Sequence, residues 1–522
     1  MPSSDKHDPR WRGLILLGWC LVVALTTWRH EYWRDEIRAF ALAMDAKSLR
    51  ELPALLRDEG HPMLWHVLLH VGYRVTSSKL VLPVTSALIC AGAVVIFVFK
   101  SPFPRWFQAL FVFGGLPLYE YSVMARNYGI SMLLLFMFAS AYPSRKEHPL
   151  RLGLLLAALG NTNIHSLILA CLLMALWLWD TLVNERISPF GKPALQLYAA
   201  AVILAVGAAA ALATLWPTNQ MVASDSSRYT LHNVVDATWT TLRDPAHAFQ
   251  KIAPGETGVL KLLSNLLFAG STLGLLVYPP ALVAAWSALF SLSILFQVVY
   301  SGGYRHQGLF VVFLITLYWL VAERGLPPLR QRYASLAARF GTHVALPAIL
   351  AILVVTGGYK VYVDLLEQQS ASQALGAFLR AHREYAGAVL IGEPDFYLES
   401  LRYYADNPVY VVREHRFGAT VKFVRRAQQR LRMGELLQSA QDVQARTHKP
   451  VLLVLGHLKE LDPGLAPDAK LHELPYSFGR TFAWSADELV AWNARTKLLH
   501  TFADGVVGDE RYRVYELVPP QR

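Results

Sequence analysis

The chain has 522 residues, 54% of them hydrophobic and 17% charged, with a net charge of +11, and its apolar residues come in long blocks between short polar hinges. A soluble chain of this length spreads its charge over two or three domains, whereas residues 80–99 and 194–215 are almost free of charge; this is a membrane composition. The basic residues are dispersed, with no Lys/Arg stripe interleaved with aromatics, so no nucleic-acid partner is expected.

The first apolar block follows Lys6, Arg10 and Arg12 and lacks a small-residue cleavage site, so it reads as a retained span with its N-terminus inside. Runs long enough for a bilayer core of about 30 Å place spans at 11–28, 80–99, 106–119, 128–142, 150–161, 163–181, 194–215, 259–278, 280–300, 308–322 and 343–363. The fold class is therefore an all-α polytopic membrane domain of about eleven transmembrane helices over 1–364. It is followed by a soluble α/β domain over 365–522. In that second part Ala388–Ile391, Val409–Val412, Val451–Leu455 and Arg513–Leu517 read as strands, and Val421–Gln444 as a helix.

The apolar segment Pro62–Thr76 contains His66, His70 and Arg74 and fits an interfacial helix better than a span. Charge bias supports that choice. With eleven spans the inner hairpins collect Lys100, Arg105, Arg145, Lys146, Arg151, Arg186, Lys192, Arg324, Arg330, Arg332 and Arg339, while the short outer ones carry only Arg126 and Arg305. The large segments 29–79 and 217–258 and the C-terminal domain then lie outside. The expected location is a bacterial inner membrane, crossed many times, with the N-terminus cytoplasmic and the C-terminal domain extracytoplasmic.

Cys20, Cys90 and Cys171 all fall in apolar segments and read as small hydrophobes. Trp28, Tyr32, Trp33, Tyr119 and Tyr121 read as an interfacial aromatic belt. His66 and His70 are four apart, a zinc-compatible spacing, but Val67 replaces the glutamate of a zincin motif, and packing is the reading adopted. Asp225, Arg228 and Tyr229 are candidates for a cover over the site, although an ordinary loop is the simpler reading.

Chemistry gathers on the outer face. Glu31-Tyr32-Trp33-Arg34-Asp35-Glu36 brings two adjacent carboxylates to the membrane surface, where the plain alternative is a helix first turn. Tyr121–Gly129 sets Arg126 and Tyr128 at the boundary between two spans, Asn161–His165 supplies His165, and Gly302–Gln307 supplies Arg305 and His306. Carboxylates for base work beside two arginines suited to bidentate phosphate binding fit an anionic, membrane-held substrate. A sugar on a polyprenyl phosphate answers that description: the phosphate leaves, arginines neutralise it, and a carboxylate deprotonates the attacking hydroxyl.

These segments resemble the GT-C glycosyltransferases, in particular the protein O-mannosyltransferase and aminoarabinose transferase group. The likeness lies in the Asp35-Glu36 pair, in His61-Pro62-Met63-Leu64-Trp65, in Arg126-Asn127-Tyr128 and in Asn163-Ile164-His165, over about the first 320 residues. Met63 stands where that group has a second proline, which points to a divergent bacterial branch. The resemblance implies an inverting transfer without a nucleotide sugar, with Asp35 as base and Glu36 and His61 orienting donor or acceptor; the expected catalytic pair is Asp35 and Glu36, and with Arg305 and His306 added from their outer hairpin the expected substrate-binding set is His61, Arg126, Tyr128, His165, Arg305 and His306. The implied partners are a polyprenyl-phosphate sugar donor, membrane lipids and a lipid, glycan or protein acceptor. No cofactor is predicted: some distant GT-C relatives use a divalent metal, which Asp35, Glu36 and His61 could hold, but too few oxygen ligands accompany them to predict one. The alternative reading is a transporter or flippase for a lipid-linked or anionic substrate.

Overall fold

In the computed structural model, residues 9–216, 229–327, 329–456, 472–476, 479–506 and 510–518 are described. Each of the eleven predicted spans folds as helix, beginning with α1, Pro9–Arg29. The outer segment that follows carries α2 (Arg34–Asp45), the single turn α3 (Leu52–Leu55) and α4 (Leu64–Thr76). The bundle continues with α5 (Val81–Lys100), α6 (Arg105–Val112), α7 (Tyr128–Ala141), α8 (Pro149–Gly160), α9 (Ile164–Trp179) and α10 (Lys192–Leu215). After α11 (Leu231–Arg243) come α12 (Gly258–Gly270), α13 (Pro279–Ile294), α14 (Tyr304–Ala322), α15 (Arg332–Phe340) and α16 (Leu346–Leu366). Among the described residues eight of these helical segments are long and apolar enough to cross a membrane, and two more, Tyr128–Ser144 and Pro149–Gly160, are shorter apolar helices.

The third span departs from the continuous helix expected over 106–119. It stops at Val112 and resumes as a π turn, Leu116–Glu120. The cause is a close crossing with α16: a Cβ on Gly115 would lie 3.0 Å from the Gly357 Cα, so the two backbones touch where neither residue has a side chain. The last span is longer than predicted, running from Arg332 to Leu366 through a π turn at Gly341–Ala345.

α14 is the core of the bundle, with every residue from Gln307 to Val321 buried. The outermost helices instead turn leucines and valines outward, such as Leu14, Leu17 and Leu21 on α1 and Leu195, Val202 and Val206 on α10. That is the surface of a protein whose solvent is lipid. Tyr32, Tyr119 and Tyr121 correct the aromatic-belt reading. All three are buried, and the Tyr119 and Tyr121 hydroxyls donate to Asp364 Oδ1 at 2.9 Å and to the Arg305 carbonyl at 2.8 Å.

The C-terminal domain adds α17 (Ser372–Ala381), α18 (Leu401–Tyr404), α19 (Met433–Thr447) and α20 (Ala486–Arg495). Its strands are β1 (Val389–Glu393), β2 (Tyr410–Val411), β3 (Arg416–Phe417), β4 (Arg430–Arg432), β5 (Val451–Leu455), β6 (His472–Pro475), β7 (Thr481–Trp484), β8 (Thr496–Phe502) and β9 (Tyr512–Leu517). The main sheet has the order β1-β5-β9-β8, with β1 and β5 parallel and the other pairs antiparallel. Period-two alternation sends Val389, Ile391, Val451 and Leu453 into one core and Leu390, Leu452 and Val454 into another, so the sheet is covered on both faces.

The helix predicted over Val421–Gln444 is present only from Met433. Arg430–Arg432 pairs in parallel with Thr481–Ala483, and that distant pairing overrides the local helical pattern. Asp225 and Arg228 lie outside the described residues; Tyr229 is exposed just before α11.

Candidate active site

Four local devices bring the site residues to one end of the bundle. The first turn of α2 holds Asp35, and the Glu36 carboxylate turns back to accept the Trp33 N–H at 3.3 Å. Asn163 caps α9, its side chain accepting the Ser166 N–H at 2.9 Å, which fixes His165 in the first helical turn. Gly303 precedes α14 and donates its N–H to His306 Nδ1 at 2.8 Å, so the remaining proton of a neutral His306 sits on Nε2. Asn127 ties the Arg126 hairpin to the Asn163 hairpin by donating to the Thr162 carbonyl at 2.5 Å.

Asp35 stands among cations. Arg305 donates from Nη2 to Asp35 Oδ2 at 3.0 Å, Arg126 Nη1 lies 3.9 Å from the same oxygen and donates to the Asp35 carbonyl, and Arg34 Nε lies 3.8 Å from Oδ1. Burial works to raise the Asp35 pKa, but Arg126, Arg305 and Arg34 outweigh it and hold the carboxyl below its ordinary range. Asp35 also opens onto a small hollow shared with His61, His66, Trp65, Glu59 and Arg126. His61 is pushed down to about 3 by burial, then by Arg126 and His66; His66 is pushed down to about 4, chiefly by burial. Both are neutral imidazoles at ordinary pH.

Beside this pair lies a ring cluster. His306 meets Tyr128 at 5.1 Å, His165 at 5.2 Å and Tyr300 at 5.5 Å between centroids, and the Tyr300 hydroxyl bonds His165 Nε2. The structure thus gathers Asp35, His61, Arg126, Tyr128, His165, Arg305 and His306 from five separate segments.

Glu36 points elsewhere. It is fully buried and accepts the Ala125 N–H at 2.7 Å and His30 Nε2 at 3.1 Å, while His30 Nδ1 reaches Asp364 Oδ1 at 2.8 Å. Burial would lower the His30 pKa, but Glu36 and Asp364 raise it to about 10, so His30 is an imidazolium clamped between two carboxylates. This clamp joins α2, the hairpin of Arg126 and the end of α16, so Glu36 and His30 set where Asp35 and Arg126 stand. Nothing in the local sequence marks His30 or Asp364 as a pair, because they are 334 positions apart. Arg38 was likewise missed: it bonds Glu59 at 2.8 Å and Glu399 of the C-terminal domain.

The site does not fit a divalent metal. Guanidiniums crowd Asp35, Glu36 is taken by His30, and among the described residues no three His, Cys, Asp or Glu side chains converge as ligands. His70, far from any such set, bonds the Ala43 carbonyl through Nδ1 at 2.9 Å.

The chain matches no protein-family model and no curated protein. Among solved structures it is similar to ArnT from Cupriavidus metallidurans bound to undecaprenyl phosphate, with a TM-score of 0.49 and 12% identity over 99% of this chain and 100% of that one. It is similar also to ArnT from the same organism in the apo state, with a TM-score of 0.48 and 11% identity over 98% of this chain and 99% of that one.

Proposed function

We propose that this chain is an inverting GT-C-type glycosyltransferase that moves a sugar from a polyprenyl-phosphate donor to an acceptor hydroxyl on the outer face of a bacterial inner membrane. The observation that carries the reading is one carboxylate, Asp35, held between Arg126 and Arg305 at the end of an apolar bundle. The acceptor oxygen attacks the anomeric carbon while the bond to the phosphate oxygen breaks. Asp35 takes the hydroxyl proton, and the two arginines receive the charge that develops on the leaving phosphate.

The low pKa of Asp35 fits this chemistry. Without donor, the guanidiniums keep it ionised but weakly basic. A donor phosphate competes for the same guanidiniums, loosens their hold on Asp35 and strengthens it as a base when the reaction needs one. Tyr128, His165 and His306 form the wall beside the sugar, and His61, neutral, offers a hydrogen bond without adding charge.

The decisive experiment reconstitutes the purified protein in lipid with a panel of radiolabelled polyprenyl-phosphate sugars and measures free lipid phosphate. Release from at least one donor, abolished by Asp35→Asn, is the expected result. No release from any donor, with or without candidate acceptors, overturns the reading in favour of a transporter.

A further inference from the structure

A second cavity, about 570 Å³ in volume, opens on the far side of α14 from Asp35. It lies between α11, the turn at His247–Lys251 and the π turn Leu295–Val299 that ends α13. Its size falls in the range of small-ligand sites, whereas the hollow at Asp35 is about 20 Å³, too small for a sugar ring.

The lining is mostly polar. Asn233, Gln250 and Gln297 present amides, Asp236 a carboxylate and Lys251 an ammonium, with Phe296 as an apolar face among them. Planar amides and carboxylates can each pair with two neighbouring hydroxyls, and an aromatic face accepts the apolar side of a sugar ring. Among the described lining residues one acid, Asp236, stands with one ammonium, Lys251, and one imidazole, His247, and there is no guanidinium to pair a phosphate bidentately, so a neutral polar group is favoured over an anion. The π turn carries Gln297, whose amide makes long contacts of 3.4 Å with the Ala237 carbonyl and Thr241 Oγ1 among the described residues, weak enough to be exchanged for a ligand hydroxyl.

Position selects which sugar. Arg305 and Gln307 are two apart on α14, about 200° around the helix. Arg305 faces Asp35, while Gln307 faces the cavity and accepts the Lys251 N–H at 2.9 Å. A donor sugar is bonded directly to its phosphate and must stay beside the arginines. We infer that the cavity between α11 and the α13–α14 hairpin is a subsite for a neutral sugar unit of the acceptor, remote from the reacting hydroxyl, making the acceptor a glycan or glycolipid. The assignment to an acceptor rests on the proposed transfer reaction; the cavity's preference for a neutral sugar does not. One chain of rings links the two sides of α14: Phe296 lies 5.5 Å from His165, which packs on His306.

The test uses the full chain in lipid nanodiscs and neutral methyl glycosides (mannopyranoside, galactopyranoside, glucopyranoside and arabinofuranoside) read by saturation-transfer difference NMR. At least one glycoside is expected to receive saturation. The signal should fall at least tenfold in Gln297→Leu and in Asp236→Ala, the latter an exposed position whose change leaves folding intact, and persist in Asp35→Asn. Absence of signal from every glycoside, or a signal unchanged in both cavity variants, overturns the subsite. Donor consumption is scored separately: consumption without glycoside binding removes the subsite and keeps the transfer reaction. Glycoside binding that follows Gln297 and Asp236 without donor consumption keeps the subsite and removes the reaction.

Discussion

Glu510, in the C-terminal domain, accepts the backbone N–H of Arg34 at 2.7 Å, and Arg34 is the first residue of the helix that carries Asp35. A carboxylate 476 positions away thus completes the N-terminus of α2, where negative charge and an acceptor are both favourable. Glu510 is itself buried and fixed by the Ser370 and Ser372 hydroxyls. Arg38 bonded to Glu399 and the Tyr404 hydroxyl donating to the Tyr32 carbonyl at 2.9 Å complete the docking. The C-terminal domain thus holds α2, and with it Asp35, in place.

Glu510→Ala should therefore cost about 1 kcal/mol of local stability, the usual value of an N-cap. The check is hydrogen exchange at the amides of residues 34–37, which should quicken while the far end of α2 is unchanged. Transfer should slow with little change in donor KM, and Glu510→Gln, which retains an acceptor oxygen, should restore most of the protection. Exchange identical to the parent would dismiss the cap.

Asp35→Asn should lower transfer by about 10²–10⁴-fold, the range for a general base, with expression and membrane insertion unchanged. Near-normal turnover would remove Asp35 from the role of base.

Arg305→Ala and Arg126→Ala should each weaken donor use by about 1.5–3 kcal/mol, the value of a charge-assisted hydrogen bond, which is a roughly ten- to hundredfold rise in donor KM. They should also move the acid limb of the pH profile. Asp35 is depressed, so its active ionised form is kept down to low pH and lost as pH falls through its pKa. Removing a neighbouring cation raises that pKa, so the acid limb of kcat/KM should shift to higher pH. A limb that stays in place would separate these arginines from Asp35.

The His30 clamp makes stability pH-dependent in a defined window. Its pKa is about 10 when folded against 6.5 when free, so the folded state binds the proton more tightly. The stabilisation is complete below pH 6.5, shrinks as pH rises, and is gone above about 10. His30→Phe leaves Glu36 and Asp364 unpaired and should cost about 3–5 kcal/mol. The milder His30→Gln should flatten the dependence of Tm on pH between 6.5 and 10. A parent protein whose Tm is level across that interval would show that His30 is not charged.

The bundle was legible because each span is an apolar block with charges at its ends, and Asp35, Arg126 and Arg305 stood out as ionisable groups at those ends. What the sequence hid was pairing. Glu36 reads like Asp35 from composition, yet the fold gives it to His30 and the Ala125 N–H and leaves Asp35 facing the hollow. Tyr119 and Tyr121 look like belt aromatics until α14 and α16 supply acceptors for their hydroxyls. The strand at Arg430–Arg432 is invisible locally because its partner lies some fifty residues on.

α14 is tied at both ends. Arg305 bonds Asp35 at its start, and just past its end Arg324 bonds the buried Asp180, which also accepts the Tyr142 and Tyr278 hydroxyls. The buried helix between is a strut of about 28 Å at 1.5 Å per residue, and it takes no part of its environment from lipid. The outer helices α1 and α10 instead turn leucines and valines outward, as lipid-facing surface does. The spacing of Asp35 and Arg305 is therefore set by a helix anchored in protein at both ends, not by the helices that face lipid.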